Sequence, residues 1–162
     1  RMSPATNAHE FACRLVWTGA AKGGATDYET YSRECRADFA GKPSIRGTSA
    51  PAFRGDPALT NPEDLLVASL SMCHFLSYIA LCARKGVIVI AYEDEAVGKM
   101  ERVERTFRFT DVLLKPRVSI APGSDPELAR SLHERAHHEC FIANSVNFPV
   151  RNEPAISAAA PV

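Results

Sequence analysis

One stretch of this chain is apolar on nearly every helical face. Between Asn61 and Gly86 (NPEDLLVASLSMCHFLSYIALCARKG) lie Leu65, Leu66, Val67, Leu70, Met72, Phe75, Leu76, Tyr78, Ile79 and Leu81. The spacing predicts a helix of about 23 residues, roughly 34 Å long. Asn61 is placed to cap it, Pro62 suits its first position, and Glu63 and Asp64 put negative charge in its first turn. Arg84 and Lys85 complement its carboxyl end, and Gly86 is the residue type that stops a helix in the left-handed conformation. A helix apolar all round is expected to be buried. Leu65 to Ala83 has the length of a membrane span, but Ser69, Ser71, His74 and Ser77 interrupt it. A core helix shared between subunits, with no membrane, fits the pattern better.

The flanking segments read mostly as strands. Phe11–Trp17 enters a hairpin loop at Gly19 and Gly23-Gly24, Tyr28–Phe39 returns, and Ser44–Thr48 adds a third strand. Ser49–Thr60, with Pro51, Gly55 and Pro57, is an irregular connection whose conspicuous group is Arg54. After the helix, Val87–Tyr92 reads as a buried strand, and its continuation bends or bulges at Gly98. Arg105–Phe109 and Val112–Ile120 follow, bent at Pro116. A second helix begins at Ser124 or Asp125, where Ser124 and Glu127 fit a capping box, and it ends near Cys140. Asn147–Ile156 closes the chain as a strand, and 1–8 and 157–162 read as disordered tails. The plan is one α+β domain over 1–162, an antiparallel sheet around a long buried central helix.

Length and charge sharpen this picture. A chain of 162 residues is small for one that must surround such a helix, which predicts a homodimer. Nineteen basic against 19 acidic residues leave no net charge, so the electrostatic footprint of a nucleic-acid binder is missing. Five cysteines, Cys13, Cys35, Cys73, Cys82 and Cys140, are spread without C-x-x-C spacing, and the amino end does not read as a signal peptide. A reducing, cytoplasmic setting is expected, with cysteines that are fillers or catalytic.

Two motifs carry candidate chemistry. His133–His137 (HERAH) matches the H-E-x-x-H zinc-protease helix, but Cys140 and Ala143 stand where the extended form has glycine and histidine. Solvated side chains on a surface helix are the expected alternative, and no metal is expected; His137 or His138 with Cys140 is the remaining zinc candidate. Cys73 sits about eleven residues inside the long helix, beyond useful reach of its dipole, and burial raises a thiol pKa. Reactivity there requires a cation brought in from elsewhere. His74 points about 100° away from Cys73 and is expected in packing or a subunit contact.

NPEDLLVASLSMC resembles the N-P-E-x-L helix motif of the OsmC/Ohr family of organic hydroperoxide reductases, with a cysteine ten residues after the glutamate. AHHECFIANS resembles that family's second cysteine motif, with Phe141 where many members have proline. The resemblance covers roughly residues 10–155. It implies an intertwined homodimer, with Cys73 as peroxidatic cysteine, Cys140 as resolving cysteine and Glu63 as the acid that holds an arginine. Arg54 is the best match for that arginine, with Arg46, Arg33 and Arg36 open. The implied activity is thiol-dependent reduction of organic hydroperoxides through a Cys73 sulfenic acid and a Cys73–Cys140 disulfide, without a cofactor, re-reduced by a dithiol such as a lipoylated protein. A hydrophobic-ligand binding protein with inert cysteines is the alternative on the same fold. On a continuous helix Glu63 and Cys73 stand about 15 Å and roughly 80° apart, so either the helix breaks or Glu63 serves the Cys73 of a second chain.

Overall fold

The computed structural model describes residues 7–159, so the expected disorder of 1–6 and 160–162 lies outside the described residues. The chain divides after Asp64 into two compact units.

The first unit holds one antiparallel sheet of three strands in chain order, β1 (Arg14–Val16), β2 (Cys35–Phe39) and β3 (Lys42–Gly47). The expected long strands are shorter here. Tyr28–Glu34 does not extend, because the Arg33 guanidinium stacks over the rings of Tyr28 and Tyr31 at 4.8 and 4.0 Å and donates to both their carbonyls. Asp27 Oδ1 also accepts from the Glu29 N–H at 2.6 Å, an Asx turn that starts the reversal. The connection after β3 is more ordered than its composition predicts. Pro51–Phe53 forms a 3-10 turn that ends at Arg54, whose φ of 67° is left-handed. Gly55 follows because a Cβ there would lie 1.5 Å from the Ser49 carbonyl oxygen.

Helix α1 runs unbroken over Pro62–Lys85. Its start is capped reciprocally: Asn61 Oδ1 accepts from the Asp64 N–H at 2.8 Å, and Asp64 Oδ2 accepts from the Asn61 N–H at 3.3 Å. Its end is set by Gly86 at φ 76°, after which the Val87 N–H reaches back to the Cys82 carbonyl at 3.0 Å. The expectation of burial on all sides is not met. Leu70, His74, Tyr78, Leu81 and Cys82 are buried, whereas Met72 is 62% and Leu76 58% exposed. Part of α1 thus stays open in the single chain, and the helix as a whole is long and apolar enough, by length and composition, for a membrane span.

In the second unit the strands form two further sheets, ordered β4 (Val89–Asp94), β7 (Pro116–Ile120), β9 (Ala155–Ala158) and β5 (Val97–Val103), β6 (Thr106–Leu114), β8 (Val150–Asn152). Neighbouring strands of the first part are antiparallel, but the closing segment splits at Glu153–Pro154 into β8 and β9, which pair in parallel with β6 and β7. Ser157 and Ala158, expected in a disordered tail, belong to β9 because the strand is held along β7. The apolar run expected as a buried strand is instead the edge strand β4, with Ile88 and Ile90 exposed. Gly98 lies beside the bulge at Lys99/Met100, and its reason is close approach: a Cβ there would meet Val67 Cγ2 at 2.6 Å and the Phe109 ring at 2.7 Å.

Helix α2 (Pro126–Glu139) is capped by Asp125, whose side chain accepts from the N–H groups of Glu127 and Leu128 at 2.9 and 3.2 Å. The expected Ser124 box is not used, since Ser124 Oγ takes the Ile88 N–H instead. One core packs α1 from Tyr78 to Cys82 against α2, β4 and β7; a second joins Leu70 to β6 and β8. Asp94 anchors the crossing between them, accepting from Ser71 Oγ at 2.5 Å and from the Lys115 N–H at 2.6 Å. Gly98→Ala is expected to destabilise the protein by about 1–3 kcal/mol, because Val67 and Phe109 must both move. Urea unfolding measures it, and a change within experimental error would mean that the contact is loose.

Candidate active site

The two cysteines singled out by the sequence motifs are brought together. Cys73, half-buried on the fourth turn of α1, lies near enough to the buried thiol of Cys140 to raise its pKa, and both are free thiols. Cys140 sits at the carboxyl cap of α2. The turn that follows is held by Asn144, whose Nδ2 donates to the carbonyls of His138 and Cys140 at 2.9 Å each. These bonds satisfy helix-end carbonyls and fix where Cys140 points. Burial pushes the Cys140 thiol up to about 11; the Ala143 N–H, 3.5 Å from Sγ, opposes that rise and the neighbouring Cys73 sulfur adds to it. At neutral pH Cys140 therefore stays protonated beside Cys73.

Cys73 opens onto a cleft of about 610 Å³ lined along α1 by Leu76, Ser77, Ala80 and Arg84, and on its other wall by His138, Glu139, Phe141 and Asn144. Phe141, 82% exposed, stands at its mouth. The 73, 77, 80, 84 spacing marks one face of a helix, and that face of α1 lines the cleft.

In the first unit, Glu63 has a buried Oε2 with no hydrogen-bond partner among the described residues. Arg54 is half-exposed and pairs with Glu29. Arg46 bonds Glu34 at 2.6 Å, Arg36 bonds Asp38 at 2.7 Å, and Arg33 is held by the two tyrosines. The structure thus brings Cys73 near Cys140 but, among the described residues, pairs Glu63 with no arginine.

His133 departs from the surface-helix expectation, whereas His138 is exposed as expected. His133 is 1% exposed, stacks on Tyr78 at 3.8 Å between ring centroids, and its Nδ1 meets His74 Nε2 at 3.0 Å. His74 is therefore a packing residue. In the same H-E-x-x-H run, Glu134 bonds His138 at 3.1 Å, and among the described residues no three His, Cys, Asp or Glu side chains gather as metal ligands. Burial lowers His74 to about 4 and His133 to about 3, so both are neutral in the fold.

Residues 55–153 match the family model of OsmC-like proteins. The chain belongs to the OsmC-like family. An OsmC-like protein of unknown function from Vibrio cholerae superposes with a TM-score of 0.83 at 30% identity, covering 91% of this chain and 100% of that one. The fold is also that of an organic hydroperoxide resistance protein OsmC from Legionella pneumophila, at 15% identity and TM-score 0.66 over 92% and 97% of the two chains. It is shared with the organic hydroperoxide resistance protein OhrB of Bacillus subtilis, at 18% and 0.61 over 91% and 98%. Among curated proteins, the uncharacterized YmaD of Bacillus subtilis is 23% identical over 54% of this chain; the aligned part spans 60% of that relative's length. An OsmC-like chain with two cysteines near each other is the arrangement from which its function is read.

The buried histidines predict acid sensitivity. In the unfolded chain each titrates near 6.5, in the fold near 4 and 3, so the unfolded state binds more protons as pH falls. Stability is complete above about pH 6.5 and declines below it, approaching about 1.4 kcal/mol per pH unit for each imidazole, until the folded values are reached. Asp111, held low by Arg151, adds its loss only below the unfolded carboxylate value of about 4. Urea titrations between pH 7.5 and 4.5 under reducing conditions are expected to show the decline, made shallower by His133→Leu. A flat profile in that window would mean that the pair accepts protons in the folded state.

Proposed function

We propose that this OsmC-like protein is a cysteine-based peroxidase that reduces organic hydroperoxides. The observation that carries the reading is the proximity of Cys140 to Cys73, which lines a partly apolar cleft. In the proposed cycle the Cys73 thiolate attacks the terminal oxygen of R–O–OH, the O–O bond breaks, and the sulfur becomes sulfenic acid while RO⁻ leaves and takes a proton to give ROH. The Cys140 sulfur then attacks the sulfenic sulfur, forming a disulfide and releasing water. A dithiol reductant, a lipoylated protein being the proposed class, is oxidised to its own disulfide as it restores both thiols. The raised pKa of Cys140 suits the second role: it waits protonated until the Cys73 sulfenic acid forms. A cytoplasmic, reducing setting keeps such a cycle supplied.

Arg54 and Glu63 complete the proposed site. An arginine beside Cys73 favours the thiolate and the developing alkoxide, and Glu63 orients it through paired hydrogen bonds. The orphaned Glu63 Oε2 supports a missing guanidinium. The Arg54–Glu29 pair is solvent-exposed on both sides, so exchanging it costs little. Because α1 is unbroken, Glu63 is proposed to serve the Cys73 of a second chain, in a homodimer that also covers Met72. The partly apolar cleft equally supports ligand binding with inert cysteines, and turnover separates the two.

One equivalent of organic hydroperoxide is expected to give a Cys73–Cys140 disulfide in peptide mapping, and Cys73→Ser to remove dithiol-dependent peroxide consumption. Finding Cys140 free and Cys73 oxidised directly to sulfinic acid would rule out the two-cysteine cycle. For the shared site, Glu63→Ala and Cys73→Ser proteins, each inactive, are mixed under subunit exchange. Each heterodimer is expected to regain one of its two sites, since one chain supplies Cys73 and the other Glu63; no recovery would place each site within one chain.

A further inference from the structure

The cleft has a second chemical feature that the peroxidase cycle does not use. Cys73, Leu76, Ser77, Ala80 and Arg84 form one stripe along α1, so the groove runs from the thiol to a guanidinium eleven residues on, about 16 Å of helix rise. A helical side chain that leans toward the helix amino end shortens that span, so an Arg84 head reaching back along the groove would stand roughly 10 Å from the Cys73 sulfur. The other charged groups on the walls are already answered: Glu139 is bonded by Arg135 at 2.8 Å, and His138 by Glu134 at 3.1 Å. Arg84 has no ion pair or side-chain hydrogen bond among the described residues. A cation in the last turn complements the helix dipole, but Lys85 does that equally, and dipole complementarity does not require a guanidinium facing the cleft.

We propose that Arg84 is a specificity-determining residue that holds the carboxylate of an amphiphilic hydroperoxide. The apolar chain of that substrate lies along Leu76, Ala80 and Phe141, and its peroxide end reaches Cys73. The carboxylate is favoured because a guanidinium pairs with it through two parallel hydrogen bonds, and because the groove walls leave Arg84 as the one cation without a counter-charge. The assignment of the reacting end rests on the peroxidase reading; the anchoring of the anion does not.

The test separates the two. Binding is measured by calorimetry on the unreactive Cys73→Ser protein with octanoate and with methyl octanoate, with and without Arg84→Ala. Turnover is measured on the protein with both cysteines, using the terminal hydroperoxide of octanoic acid and of its methyl ester. Octanoate is expected to bind more tightly than its ester, and Arg84→Ala to reduce octanoate affinity and the acid-to-ester ratio of kcat/KM by about tenfold each. Arg84→Lys restores part of the preference and Arg84→Glu inverts it. Equal binding of acid and ester, or a preference that survives Arg84→Ala, overturns the proposal even if hydroperoxides are consumed. Arg84-dependent octanoate binding without turnover of either hydroperoxide would keep the anchor and remove the peroxidase reading.

Discussion

The second unit depends on a polar seam inside an apolar core. Tyr78 of α1 donates to the Ala129 carbonyl of α2 at 2.9 Å, and one turn earlier on α1 His74 meets His133, one turn later on α2. The two rungs make the helices antiparallel and fix their register, because a slip of either helix would strand a buried hydroxyl and two buried imidazoles, each at about 1–3 kcal/mol. Leu packing alone tolerates such a slip far better. With that register set, the residue beside His74 is Cys73, and two turns beyond His133 the helix ends at Cys140. The proximity of the thiols is thus a consequence of the seam together with the Asn144 cap that stops α2 at that point.

That dependence explains which parts were legible in the sequence. The bounds of α1 came directly from Asn61, Pro62 and Gly86, and the position of Cys140 at a helix end came from the periodicity of α2, because caps and periods are local. Motif resemblance singled out Cys73, Cys140 and Glu63, and the geometry puts the two cysteines near each other. His133 was misread as solvated because its partner His74 is 59 residues away, and no local pattern reports such a bond. Tyr28–Phe39 was misread as one strand because its alternation was outweighed by Arg33 folding back on two tyrosines. The choice between Ser124 and Asp125 as cap turned on a third party, the Ile88 N–H, which occupies the serine.

Burial of α1 was the most instructive difference. Composition reports that a helix is apolar on all faces, but only chain length and connectivity report how much surface is available to cover them. One face receives two cores, and the other keeps Met72 and Leu76 at the surface. Exposed apolar side chains contiguous along a helix mark an interaction surface more often than a solvated one. The proposed homodimer and the proposed groove divide this face between them, with Met72 toward a second subunit and Leu76 lining the route to Cys73.

Two local costs in the first unit lead to the same place by a different route. Arg54 adopts a left-handed backbone that costs a non-glycine residue about 1–2 kcal/mol, and Gly55 behind it is packed so tightly that no other residue fits. Glu63 carries a buried carboxylate oxygen without a donor among the described residues, a desolvation cost of about 1–3 kcal/mol or more. Strain and unsatisfied burial persist where surrounding structure enforces them, and they cluster where a site is completed by something else. Neither feature is needed to fold a three-stranded sheet or to cap a helix, since Asn61 and Asp64 already do the latter. A guanidinium delivered to Glu63 would remove the larger of the two costs. In the proposed homodimer it would also supply the cation that the second chain's Cys73, too far along its helix to benefit from the dipole, otherwise lacks.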